Sequence, residues 1–565
     1  FIVRFILGFA CIVSMFGAPS FAEGLAGPYL AGRQASLDGR LDASVQYFSK
    51  VVAKDSTNIM ALEQLILAQG ALGRFEQALP VAQAFTNQGA NGQWANLVVI
   101  ANAAKSQNYS ALSRLLQEQR GIGHPLIDDL IEAWSLAGSG DYEAAIAKLK
   151  ALSEQDQERG LANYHLALIY KVSGDYQAAD DRFDALSKDG AQVTRRAILI
   201  RLEALMQGGQ FDQADTIFDR FFTKQSDPEL DRLKADIAAK RSPKPLLMKT
   251  AEDGLAEVFF AVAQILNQEQ KDEYSLFHAQ LAQFLSAKYT PAALLSAEIL
   301  VAMRQYDLAI EAYRTITPVS ALFPLAELGR ADALRDSGMT EAAIEVLRGL
   351  SRSHEKLVPA HQALGNLLRS QERYDEAVMA YTAALNLLNP NMKSAWRLFY
   401  ARGMANERMG DWPAAEQDFR QALALQPEHP QVLNYLGYSL VEKRQKLDEA
   451  LAMIQTAVDK QPESGYIVDS LGWVFYRLGR FEEALPHLEK AAELMPIDPI
   501  VNDHLGDVFW EVGRKREAVF QWRRALSFDP EETDRKRILR KLEVGLERVL
   551  EEEAEALLST ANQDG

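Results

Sequence analysis

An all-α solenoid of antiparallel helix pairs is the fold class this sequence predicts, and three observations carry the prediction. One register position recurs at a period near 34 residues, at Ser44, Ala78, Leu112, Ala145, Ala179 and Ala214, and again at Ala309, Ala343, Ala377, Ala415, Ala450, Ala484 and Ala518. Turn signals repeat just before these positions, as in Gly39-Arg40-Leu41, Gly73-Arg74-Phe75, Gly140-Asp141-Tyr142, Gly174-Asp175-Tyr176 and Gly209-Gln210-Phe211. The composition is that of folded protein, 48% hydrophobic and 24% charged over 565 residues, which excludes the disordered classes. In a repeat array such a length makes one long core between neighbouring units rather than several separate cores.

The most regular stretch, Ser464 to Pro530, shows what a unit is made of. Leu471-Gly472-Trp473, Gly479-Arg480, Glu483-Ala484 and Ala491 return 34 residues later as Leu505-Gly506-Asp507, Gly513-Arg514, Glu517-Ala518 and Ala525. Gly472 and Ala484 lie where two helices must approach closely, with Leu471, Phe475 and Leu488 supplying apolar bulk around the contact. Gly479 suits the left-handed turn that ends the first helix, and Glu482 and Glu483 complement the positive end of the second. Asp498 as cap and Pro499 at the first helical position start the next unit. This pattern resembles the tetratricopeptide repeat (TPR), whose units are a helix, a turn and a second antiparallel helix stacked into a superhelix.

Taken in order, the chain opens on Arg4, an apolar run from Phe5 to Phe16 and small residues ending at Ala22, so residues 1–22 read as a secretory signal peptide. A retained membrane anchor and lipidation of Cys11 are the other readings, although Gly8-Phe9-Ala10-Cys11 departs from a leucine-led lipobox. Membrane association is expected through this N-terminus alone. Residues 23–222 form an N-terminal array, and residues 223–254 an irregular linker where Ser242-Pro243-Lys244-Pro245 cannot continue a helix. Repeats resume over 255–530, beginning with the apolar stretches Leu255 to Leu266 and Tyr274 to Leu285, for about fourteen units with a central irregularity. Residues 531–565 are expected to be one long capping helix and a tail, with a solvated charged face from Arg535 to Glu555.

No nucleotide-binding loop, nucleophile elbow or zinc-ligand pair appears, and the eight histidines are scattered, so neither an enzyme, a cofactor nor a metal is expected. A net charge of −17 argues against nucleic acid as partner. What remains is a binding surface. The repeat resemblance implies that first helices line a groove, and in the last units the groove positions fall on Tyr400, Asn434, Tyr438, Tyr466, Asp469, Trp473, Tyr476, Asp503, Asp507 and Trp510. Aromatic anchors with a few polar groups suit recognition of a protein or an extended peptide. The aspartates, read as free charges, favour a basic or amide-rich partner.

Residues 434–440 and 447–450, continuing through Asp469-Ser470-Leu471-Gly472-Trp473-Val474-Phe475-Tyr476-Arg477-Leu478-Gly479, are more specific than a generic unit. Over residues 395–530 they resemble the C-terminal repeats of large bacterial envelope TPR proteins, a group that includes a lipoprotein adaptor of a periplasmic carboxyl-terminal processing protease. The resemblance implies a non-enzymatic periplasmic scaffold that binds such a protease and presents its substrates, cell-wall hydrolases among them. Two other readings fit the same residues: an assembly factor for envelope polysaccharide or outer-membrane machinery, and an exported all-α hydrolase.

Overall fold

The computed structural model describes residues 24–118, 124–155, 159–188, 193–222, 228–243, 247–389 and 391–561. The expected signal peptide lies outside them. Among the described residues the chain is helical with no strand, in six antiparallel helix pairs from Ala26 to Phe222 and eight from Ala251 to Ser527, the TPR solenoid that the periodicity predicts. Every recurring register position, from Ser44 to Ala518, has no accessible surface. The reason is visible at Gly472, where an added Cβ would lie 2.5 Å from Leu488 Cγ and 3.3 Å from the Ala484 carbonyl oxygen. The helix Pro499–Glu511 starts as expected, with Asp498 accepting from the amides of Ile500 and Val501.

The contacts divide the chain into two compact units, residues 1–346 and 347–565. In the first, the apolar stretches Leu255 to Leu266 and Tyr274 to Leu285 do more than continue the array. They form helices Ala251–Gln268 and Asp272–Leu285, started by a Thr250–Asp253 capping box, and the pair packs across first helices of the N-terminal array: Ile59–Ala71, Gln93–Lys105, Pro125–Gly138 and Arg159–Ser173. One apolar core therefore runs from Leu62 to Ala292. The segment 255–285, expected to open the C-terminal array, lies within the first compact unit. The contacts divide at 346, not at the proline-rich break near 243.

The seat of this helix pair is cut to shape. An added Cβ at Gly70 would lie 2.0 Å from Phe277, and one at Gly254 would lie 2.2 Å from the Trp134 ring. The charged groups buried beneath are paired, although Gln69 Oε1, Asn163 Oδ1 and His278 Nε2 find no hydrogen-bond partner. Glu257 accepts from Arg196 Nε at 2.5 Å, from the Tyr289 hydroxyl at 2.7 Å and from the Tyr164 hydroxyl at 3.2 Å. Lys171 donates to the Met248 carbonyl and pairs with Glu203. Removing one member of such a buried set leaves a charge or hydroxyl without compensation, so these bonds fix where the pair docks.

Two imidazoles belong to the same interface. Trp134 Nε1 donates to His165 Nδ1 at 3.1 Å, and His278 packs among Trp94, Phe259 and Phe277. Burial lowers His165 to a pKa of about 3 and His278 to about 4. Glu273 at the start of the second helix is pushed up to about 7 by burial, and so acts in the opposite direction.

Gly254→Val should overpack against Trp134 and destabilise the first unit by about 1–3 kcal/mol. Hydrogen exchange should show lost protection in Pro125–Gly138 and Ala251–Gln268, with the helices from Trp396 to Ser527 unchanged; uniform loss would show that the damage is not confined to the docked pair. The histidines predict an acid limb. Both bind protons more readily unfolded, near pH 6.5, than folded, so their contribution is complete above that pH and is lost as pH falls through 6.5 toward 4. In a Glu273→Gln background, which removes the opposing group, His278→Gln should flatten that limb in melting curves.

Candidate functional site

The expected groove residues all lie in the second unit, on helices Trp396–Arg408, Pro430–Glu442, Gly465–Arg477 and Pro499–Glu511. Their environments differ sharply. Tyr466 is 48% exposed, as is Ile500 at 50%, whereas Trp473, Tyr476, Asn434, Asp469, Asp503 and Asp507 are buried. Tyr400, Tyr438 and Trp510 are half-buried. Tyr400 meets Trp396, Phe419 and Tyr435 edge-on or tilted, and burial pushes its phenol up to about 12. Burial raises Tyr438 and Tyr476 as well, with Glu442 acting on the first and Asp507 on the second. Asn434 Oδ1 is buried without a hydrogen-bond partner.

Trp473 is the centre of the arrangement. Its ring stacks on Tyr476 at 4.6 Å and on His504 at 3.9 Å, and its Nε1 donates to Glu442 at 2.8 Å. His504 Nδ1 lies 2.9 Å from Asp469 Oδ2. Burial works against a proton on His504, but Asp469, reinforced by Asp503 and Asp507, raises its pKa above the ordinary value. Asp469 is thus committed to a neighbour. It serves to hold the imidazole flat against Trp473.

Asp503 and Asp507 are committed more completely. Lys541 Nζ, fully buried, donates to Asp503 at 2.9 and 2.8 Å and to Asp507 at 2.6 Å. Trp522 Nε1 donates to Asp507 at 2.9 Å, and Arg537 approaches Asp507 at 3.4 Å and Asp503 at 3.7 Å. Burial, and then repulsion from Asp507, raises the Asp503 carboxyl above its usual range against the pull of Lys541. Two carboxylates and two cations make a neutral internal cluster. The expectation of a freely acidic lining is therefore corrected, because its counter-charges come from the segment read as a solvated cap.

That segment is also not one helix. It breaks at Gly545, whose φ of +85° is left-handed and whose added Cβ would lie 2.9 Å from Trp510. The helices Glu532–Val544 and Leu546–Ala561 result, with Ile538, Leu546 and Val549 buried. The first continues the repeat register by one more step. Arg537 stands 34 residues after Asp503, and Lys541 stands 34 after Asp507. Extending the 34-residue ruler past Ala518 was the signal that could have paired them.

Beside Trp473 and Tyr476 a cleft of about 440 Å³ opens, with Val441, Leu447 and Phe481 as further apolar wall. Arg444, Arg477 and Arg537 line it, with Glu511 and the terminal helix's Leu550 and Glu553 opposite. Among the described residues no group of three or more His, Cys, Asp or Glu could hold a metal ion, and no helix is long and apolar enough to cross a membrane.

Family models agree with the architecture over part of the chain. Tetratricopeptide-repeat family models match residues 361–529 and 132–192. A TPR repeat-containing protein of Pseudomonas aeruginosa is 28% identical over 173 residues, 30% of this chain and 28% of that protein. A lipoprotein NlpI homolog of Haemophilus influenzae is 31% identical over 142 residues, 25% of this chain and 45% of the relative. The chain thus spans less than half the length of either relative. A tetratricopeptide repeat protein from Parabacteroides merdae superposes with a TM-score of 0.38 at 16% identity, over 44% of this chain and 97% of that one.

The buried cluster yields a stability prediction. Lys541→Met should leave Asp503 and Asp507 facing each other without their main cation and cost about 3–5 kcal/mol. Adding Asp503→Asn should recover part of that loss. Thermal melting with Trp522 fluorescence reads both, and a double variant no more stable than Lys541→Met would show that the carboxylates are solvated and the cluster is not closed.

Proposed function

We propose that this tetratricopeptide-repeat protein is a non-enzymatic scaffold of the bacterial envelope, binding a protein partner on the first-helix face of its last repeats. TPR proteins bind other proteins or peptides, and here one observation carries the choice of surface. In the first unit, first helices of the early repeats are covered by the chain's own helix pair, whereas in the last repeats Tyr466 and Ile500 remain exposed beside the buried Trp473–Tyr476–His504 stack. The exposed Tyr466 offers area to bury on binding, and the prestacked aromatic cluster within the same helix pair keeps its helix rigid.

We place the protein in the periplasm. The reading is supported by Arg4 with the apolar run to Phe16 and by similarity to a protein named a lipoprotein. We assign it an adaptor's task, holding a carboxyl-terminal processing protease and presenting its substrates, on the resemblance of residues 395–530. Of the ten groove positions, Tyr466 is the contact residue we propose first. Trp473, Tyr476 and Asp469 act by holding the platform in place.

Immobilised full-length protein should retain such a protease from envelope extract. Tyr466→Ala should weaken the complex about tenfold or more, with an unchanged melting temperature because the side chain is half exposed. If the partner binds this variant with unchanged affinity while substitutions within residues 41–222 abolish binding, the recognition surface belongs to the first unit and the assignment fails.

A further inference from the structure

Building on the last-repeat surface proposed above, we infer that the cleft beside Trp473 and Tyr476 takes an acidic segment of a partner protein, an apolar side chain flanked by carboxylates. The first argument is charge. The chain as a whole carries −17, yet of the three arginines lining this cleft only Arg537 is taken up by the buried aspartates and Glu553, which leaves Arg444 and Arg477 facing Glu511. Glu553 is bound to Arg537 Nε at 2.7 Å, so Glu511 is the one lining carboxylate set against Arg444 and Arg477. Arg444 is exposed. Arg477 has a carboxylate only at 3.4 Å, from Glu442, whose same oxygen already accepts from Trp473.

The second argument is that the chain itself shows which segment this region accepts. The helix Leu546–Ala561 packs beside the cleft in cis by an apolar face, Leu546 and Val549, and by carboxylates on cations of neighbouring helices, Glu547 on Lys515 at 3.1 Å, Glu552 on Arg540 at 2.8 Å and, within the cleft lining, Glu553 on Arg537 at 2.7 Å. It stops short of filling the cleft. Leu550 forms part of the wall and is 39% exposed, and the half-buried Leu447 and Phe481 remain accessible in the same cleft with Arg444 and Arg477. A partner segment that places a leucine-sized group on this wall and carboxylates toward Arg444 and Arg477 would extend the pattern the terminal helix begins. Such contacts would give register and salt-dependent association on top of the aromatic burial.

The test uses the full-length protein and a fluorescent peptide with the sequence of residues 546–561, read by anisotropy. The peptide should bind, and binding should weaken as salt rises. Arg444→Glu combined with Arg477→Glu should lower its affinity at least tenfold, and Leu550→Ala, which opens the wall, should raise it several-fold. A control peptide with every glutamate replaced by lysine should not bind. Absence of binding by the acidic peptide, equal binding of the lysine peptide, or an unchanged affinity in the double arginine variant would each overturn the proposal. The Tyr466→Ala measurement on the captured partner stands apart from these outcomes. Loss of binding there with no effect of the arginines would retain the scaffold reading and remove the acidic-segment chemistry.

Discussion

Close approach of helix backbones at positions that admit almost no side chain is the constraint on which this structure depends. Within a pair, Gly472 lies against Leu488 and the Ala484 carbonyl, and Gly506 lies against the Trp522 ring. Between distant segments the same rule seats the pair Ala251–Leu285, with Gly70 receiving Phe277 and Gly254 receiving Trp134. Interiors are packed to the density of organic crystals, so a missing Cβ on one helix and a large ring on the other form a single feature. A 34-residue repeat of that feature is enough to propagate a solenoid, since each unit buries its apolar face only on its neighbours.

Charge follows from the packing. Once first helices are pressed together, groups 34 residues apart on equivalent positions come within ion-pair distance. A column of like charges would then repel at low dielectric; Asp469 and Asp503 share one such column, and the chain sets cations at the next step, Arg537 after Asp503 and Lys541 after Asp507. Asp469 meets His504 one position over, and the imidazole becomes part of the aromatic stack under Trp473. The last repeats are thus tied together by buried ion pairs, while Asn434 Oδ1 and Asn502 Oδ1 stay buried without a hydrogen-bond partner.

The two units use their first-helix faces differently. In the first, that face has become core, continuous from the array into the docked pair, and its buried ion pairs and neutral histidines tie it to one arrangement. In the second, the face keeps an exposed tyrosine, a stacked platform and an arginine-rimmed cleft. A scaffold needs both properties: a segment that does not rearrange and a surface that remains available.

By itself the sequence determined the all-α solenoid, its register at the positions from Ser44 to Ala518, the caps such as Asp498-Pro499, and the number of units. Those features are local or strictly periodic, so spacing alone encodes them. It also marked Trp473 and its neighbours as candidates, because aromatic residues recur there at first-helix positions. Only the tertiary structure decided that the pair Ala251–Leu285 covers the earlier repeats, that the C-terminal segment breaks at Gly545 and turns back, and that Arg537 and Lys541 cancel the aspartates. The reason is physical. Periodicity states which residues share a helix face, but whether that face meets water, a neighbouring unit or a segment from elsewhere in the chain depends on contacts between residues far apart in sequence.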